Sequence, residues 1–134
     1  MNAIDTNVLV YSYDTRDARK QRIAQQVIMT ARPFVLLWQV GCEFMAASRK
    51  LRPLGFTQDQ AWRALADIQT AATEVTYPEP VLWPETQSLQ GRHSLSFWDA
   101  LLVAACIRRG IRALYTEDMG APRMIDGLSL INPF

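Results

Sequence analysis

The first ten residues, Met1-Asn2-Ala3-Ile4-Asp5-Thr6-Asn7-Val8-Leu9-Val10, constrain the fold most. A short apolar run ends in an acid. Thr6 and Asn7 are good helix-starting residues, and an apolar stretch resumes directly after them. This reads as strand, tight turn, helix, with Asp5 at the C-terminal end of the strand. Ala113-Leu114-Tyr115, followed by Thr116-Glu117-Asp118, repeats the pattern. Phe34-Val35-Leu36-Leu37 is a continuous apolar run, which fits a parallel strand buried on both faces. Glu74-Val75-Thr76-Tyr77 and Leu128-Ser129-Leu130-Ile131 supply two further strands. Strands alternating with helices require right-handed crossovers, so an α/β fold is expected, with a parallel sheet covered on both faces. In that architecture strand C-ends and helix N-ends share one edge, and ligands bind there.

Helical periodicity fills the intervals. One helix is expected over Ala18 to Thr30, with Ile23, Val27, Ala24 and Ile28 facing inward, and Pro33 breaks it. A second runs from Val40 to about Lys50, and Pro53 to Phe56 is a turn. Thr57 caps a third that reaches Ala71 on a stripe of Ala61, Leu65 and Ile68. Trp62 beside that stripe reads as packing or interface. Pro78, Pro80 and Pro84 lead into a helix ending near Gly91. From Ala100 to Ile107 no residue is charged or strongly polar, which marks a central helix buried on all sides. Cys42 and Cys106 fall in apolar helical stretches and read as buried free thiols. The 134 residues suit one domain, 1–134, with a real core. No apolar stretch is long enough to span a bilayer, and Asp5 stands where a signal peptide would carry basic residues, so a cytoplasmic protein is expected. A net charge of +1 does not announce a nucleic-acid binder. Arg49, Lys50 and Arg52 read as a solvated cluster at a helix end.

Four acids are placed by this layout at the same sheet edge. Asp5 and Asp118 lie at or just past strand ends, and Glu43 and Asp99 lie in early turns of helices. Each has a plain structural account. A helix start favours negative charge, and Ser96 with Asp99 has the spacing of a capping box. Together, four converging carboxylates repel unless they are protonated or neutralised by cations. Carboxylates with waters form the ligand set of Mg²⁺ or Mn²⁺ rather than of zinc or copper. His93 is the single histidine, so a histidine metal pair is excluded, and it reads as a surface or hydrogen-bonded residue. Asp126 is read as a turn residue beside Gly127. Neither a Walker loop, nor a GxGxxG fingerprint, nor a GxSxG elbow is present.

Asp5-Thr6-Asn7, Glu43 within a short apolar helix, Ser96-Phe97-Trp98-Asp99-Ala100-Leu101 and Tyr115-Thr116-Glu117-Asp118 resemble the four acidic motifs of PIN-domain proteins. The resemblance is closest to VapC-type toxins of bacterial toxin–antitoxin pairs, and it extends to the ending Asn132-Pro133-Phe134. Met119-Gly120-Ala121-Pro122 departs from it in being less polar than in many relatives. The resemblance implies a three-layer α/β/α sandwich with a parallel sheet of about five strands, a homodimer, and Mg²⁺-dependent endoribonuclease activity. It carries both the catalytic and the metal-binding roles onto Asp5, Glu43, Asp99 and Asp118, with Thr6, Asn7 and Thr116 supporting those carboxylates. Asp5 and Asp99 would hold the principal metal, which Mn²⁺ could replace. Water would attack the RNA phosphorus, and the products would carry 5′-phosphate and 3′-hydroxyl ends. The resemblance also implies a cognate antitoxin that offers Arg or Lys to the carboxylates. Apolar faces such as those of Trp62 and Trp83 would hold that antitoxin or form the homodimer contact. The residues alone leave three other readings: a PIN nuclease outside toxin–antitoxin systems, a metal-dependent phosphatase with Asp5 as nucleophile, and a noncatalytic interaction module.

Overall fold

The computed structural model describes residues Met1–Phe134. β1 (Asn2–Ile4) lies inside the sheet, paired in parallel with β2 (Phe34–Leu37) on one side and β4 (Ala113–Tyr115) on the other. β3 (Glu74–Thr76) extends the sheet beyond β2, and β6 (Leu128–Ile131) extends it beyond β4, both in parallel. All four residues of β2 are buried, as the unbroken apolar run requires. A sixth strand, β5 (Arg123–Ile125), closes the far edge antiparallel to β6, so the order is β3-β2-β1-β4-β6-β5. The sheet thus has six strands, one more than expected, and is mostly rather than wholly parallel. The addition follows from Asp126-Gly127. Both residues have positive φ (47° and 87°), and Ile125 pairs with Leu128, which makes a two-residue hairpin whose twist returns the chain alongside β6.

The helices complete a three-layer α/β/α arrangement. α1 (Thr6–Tyr11) packs between α2 (Ala18–Thr30) and α3 (Trp38–Ala47), and α3 also meets α4 (Gln58–Ala71). α2 buries Ala24 and Val27, with Ile23 and Ile28 half-buried beside them. α4 is closed at its start by a reciprocal capping box of Thr57 and Gln60 and buries Ala61, Ala64 and Ile68. α5 (Leu82–Arg92) packs along α6 (Phe97–Arg108). α6 buries Ala100, Leu102, Val103, Ala104 and Cys106, but Leu101, Ala105 and Ile107 are only half-buried, so the helix is not enclosed on all sides as its uninterrupted apolar sequence suggested. Two further expectations need correction. The helix expected to reach Lys50 ends at Ala47, and a 3-10 helix takes over from Ser48 to Leu54, closed by Gly55 at φ 86°. Cys42 is exposed on α3, whereas Cys106 is buried and its thiol is pushed upward by burial. No helix is long and apolar enough to cross a membrane.

Candidate active site

Asp5 directly follows β1 and caps α1. Its Oδ1 accepts a hydrogen bond from the Thr6 backbone N–H at 2.7 Å, and its Oδ2 accepts one from the Thr116 hydroxyl at 2.7 Å. Thr116 follows β4, the strand beside β1, so parallel pairing brings the two strand ends together. The Thr116 hydroxyl oxygen also accepts from the Asp118 backbone N–H at 3.0 Å, which folds the chain after β4 back toward Asp5. The Asn7 amide donates to Asp118 Oδ2 at 2.9 Å and reaches Asp5 Oδ2 at 3.4 Å. On the other flank the Thr6 hydroxyl donates to Glu43 Oε2 at 2.9 Å. Gln39, one turn before Glu43, donates to Glu43 Oε1 at 2.7 Å and to the Trp98 carbonyl at 3.0 Å, tying α3 to the start of α6. There the Ser96 hydroxyl caps α6 by accepting from the Asp99 backbone N–H at 3.1 Å.

Asp5, Glu43, Asp99 and Asp118 all line one cavity of about 470 Å³, and so do Thr6 and Asn7. Two more acids, Asp14 and Glu117, line it as well, and the difference between the groups is electrostatic. Asp14 pairs with Arg16 at 2.8 Å, which holds its carboxyl below the ordinary range. Glu117 pairs with Lys20 at 2.8 Å and accepts from the Tyr11 hydroxyl at 2.8 Å. None of the other four forms a salt bridge. Burial raises Asp5 to about 6, against the lowering effect of its Thr116 and Thr6 hydrogen bonds, and the charges of Glu43 and Asp118 push it the same way. Asp99 is raised too, first by burial and then by Asp118 and Glu43. Two amide oxygens of lining residues, Asn7 Oδ1 and Gln39 Oε1, are buried without any donor. Uncompensated carboxylates and orphaned acceptor oxygens, with no sulfur or imidazole among the lining residues, suit a hard, oxygen-preferring cation. No three of these acids stand close enough together to hold an ion between them as they are placed.

A profile of the PIN domain matches residues 3–125. The chain belongs to the PIN-domain family. Solved structures of similar fold include toxins and toxin–antitoxin complexes. A toxin–antitoxin complex from Klebsiella pneumoniae superposes with a TM-score of 0.75 at 18% identity, covering 100% of this chain and 98% of that one. Mycobacterium tuberculosis VapC20, described as a Sarcin-Ricin loop cleaving toxin, gives 0.70 at 22% identity over 90% and 92%. Rickettsia felis VapBC2, bound to a DNA fragment from its promoter, gives 0.68 at 14% identity over 96% of each chain. No curated protein matches this chain in sequence.

Within this PIN domain, some participants were not visible in the sequence. Gln39 could have been found from its i, i+4 spacing to Glu43 on a helix. The ion pairs Lys20–Glu117 and Arg16–Asp14, which exempt two acids from the uncompensated set, leave no such local signal in the first case and only a near-neighbour one in the second. His93 is not among the cavity residues; its Nδ1 lies 3.3 Å from Arg123 Nη2 and its Nε2 lies 3.8 Å from Asp126. Asp126, besides turning the hairpin, binds the Arg92 guanidinium through both oxygens at 3.0 and 2.7 Å. A second, apolar cavity of about 650 Å³ adjoins the first, sharing Gln39 and Glu43, with Trp38, Tyr77 and Trp98 exposed along it.

Proposed function

We propose that this PIN domain is a Mg²⁺-dependent endoribonuclease, with Mn²⁺ as a possible substitute, and that it is the toxin of a toxin–antitoxin pair. The observation that carries the reading is the selective compensation of the cavity: of six lining acids, only Asp14 and Glu117 have a protein cation, and Asp5, Glu43, Asp99 and Asp118 have none. Asp5 and Asp99 would hold the principal ion, with Glu43 and Asp118 beside it. A divalent cation held there would neutralise charge on a phosphate oxygen and make a bound water easier to deprotonate. Thr6 and Gln39 hold the two Glu43 oxygens from opposite sides, so this carboxylate is positioned to orient water and take up its proton. Attack of water on phosphorus breaks the P–O3′ bond and leaves 5′-phosphate and 3′-hydroxyl ends. That chemistry does not use the 2′-hydroxyl, so preference for RNA rests on substrate shape and contacts.

The toxin reading is supported by the toxin–antitoxin neighbours and by exposed apolar surface suited to a partner. Trp62 and Trp83 are 55% and 67% exposed, and the apolar cavity opens next to the acids. An antitoxin segment with Arg or Lys would meet the unpaired carboxylates. A homodimer contact belongs to the same apolar surface.

The test is cleavage of an RNA panel by the purified protein with Mg²⁺, followed by mass assignment of the new ends. Internal cleavage stopped by EDTA and by Asp99→Asn is expected. Cyclic-phosphate ends would refute attack by water. If the chain expressed alone leaves growth of its native host unchanged, with the neighbouring gene deleted, the toxin part is wrong even where cleavage is seen.

A further inference from the structure

Of the 14 basic residues, Arg16, Lys20, Arg92, Arg108 and Arg109 are paired with carboxylates. Arg49, Lys50 and Arg52 are among the nine that are not; these three are exposed together on the 3-10 helix Ser48–Leu54, which contains no acid. A 3-10 helix repeats every three residues, so side chains at i and i+3 eclipse. Ser48 and Leu51 occupy the buried edge, at 4% and 0% exposure. Arg49 and Arg52 therefore share a second edge, and Lys50 falls on the third. The cavities follow this division. Lys50 lines the carboxylate cavity, whereas Arg49 and Arg52 line a separate cavity of about 130 Å³ together with Trp62 and the start of α4. Three exposed like charges on one short helix with no acid among them set up a local positive potential that attracts anions. The strip begins inside the carboxylate cavity and ends at an exposed indole face, the surface on which an unpaired base stacks.

We propose that Lys50, Arg49 and Arg52 form a track for the backbone phosphates of single-stranded RNA, leading from the carboxylates to a base-stacking position at Trp62. This rests on the ribonuclease reading and names the part of the substrate that the reading leaves open. An acidic protein segment shares the charge of RNA, but it has no base for the indole.

The experiment measures binding of a labelled single-stranded RNA by anisotropy across a salt series, with the full chain carrying Asp99→Asn to prevent cleavage. Each lost phosphate contact lowers the slope of log affinity against log salt by about 0.7, so Arg49→Gln/Lys50→Gln/Arg52→Gln should lower it by roughly 2. Single Lys50→Gln and Arg52→Gln variants, each expected to lower it by about 0.7, serve if the triple variant folds poorly. Trp62→Ala should weaken binding roughly tenfold at unchanged slope, because stacking releases no counterions. Arg108→Ala, at the opposite end of α6 from Asp99, should leave the slope as it is. If the parent binds and wild type cleaves RNA, yet the glutamine variants keep the parental slope, the track is wrong and the ribonuclease reading survives. If wild type neither binds nor cleaves RNA, both fall. If a polyglutamate peptide displaces RNA from the parent but not from the triple variant, and RNA binds both equally once the peptide is absent, the strip belongs to a protein partner instead.

Discussion

Asp5 is almost enclosed, and its carboxyl is raised by that burial to about 6. Between roughly pH 4 and pH 6 the folded chain keeps a proton on Asp5 that the unfolded chain has released, so stability falls as pH rises through that window. A shift of about two units corresponds to roughly 3 kcal/mol lost by pH 7 in the absence of metal. Asp99, raised as well, acts in the same direction. Asp14, Glu74 and Asp126, held low by Arg16, Arg109 and Arg92, act in the opposite sense at lower pH. The informative quantity is therefore the difference between variants. In EDTA, urea unfolding of Asp5→Asn should lack most of the wild-type decline between pH 4 and 6; parallel profiles would contradict the burial argument. Thr116→Val tests the support of Asp5. It removes a hydroxyl that donates to Asp5 and accepts from Asp118, and it should lower cleavage or Mg²⁺ affinity by about 10- to 100-fold with the fold retained. At this scale the sequence discloses the acids, because a carboxylate in an apolar neighbourhood is conspicuous. It does not disclose which acids are neutralised, since Lys20 and Glu117 meet only through the fold.

Elements were legible where one local rule governs them. α2 and α4 follow apolar periodicity and start at capping residues, Asp17 and Thr57, that need no tertiary partner. β5 was not legible, because three residues with one fully buried side chain carry no alternation to read; the Asp126-Gly127 turn is its sole local sign. The switch from α3 to the 3-10 helix was hidden because Arg49 and Lys50 suit either helix, and Pro53 and Gly55 mark its end rather than its start. α6 links the element scale to the site, since its cap also aims its acid. Ser96→Ala removes the acceptor for the Asp99 N–H and should cost about 1 kcal/mol, seen as a few degrees in the melting temperature. Cleavage should fall less than in Asp99→Asn, and Ser96→Thr should restore both properties. A Ser96→Ala protein as stable and active as wild type would show that α6 sets Asp99 without its cap.

Over the whole molecule, the four uncompensated acids come from four separate stretches: the end of β1, the middle of α3, the start of α6 and the turn after β4. Folding brings them to one cavity, and no protein cation forms a salt bridge with any of them. A divalent ion that binds the assembled carboxylates binds the folded chain far better than the unfolded one, where the same residues lie dozens of positions apart. Linkage then adds about 2.7 kcal/mol of stability at a metal concentration 100 times the dissociation constant, and the gain grows with the logarithm of concentration. Screening by salt also eases repulsion, but it saturates and does not distinguish ions by valence at matched ionic strength. Thermal unfolding in MgCl₂ or MnCl₂ against NaCl of equal ionic strength separates the two effects. The melting temperature should climb with Mg²⁺ well beyond the NaCl control, and the excess should vanish in Asp5→Asn/Asp99→Asn. That double variant should also melt higher than wild type in EDTA, because it removes two of the mutually repelling charges. Equal curves for Mg²⁺ and Na⁺ would mean that the acids are held apart well enough to need no ion, and the metal reading of this cavity would fail with them.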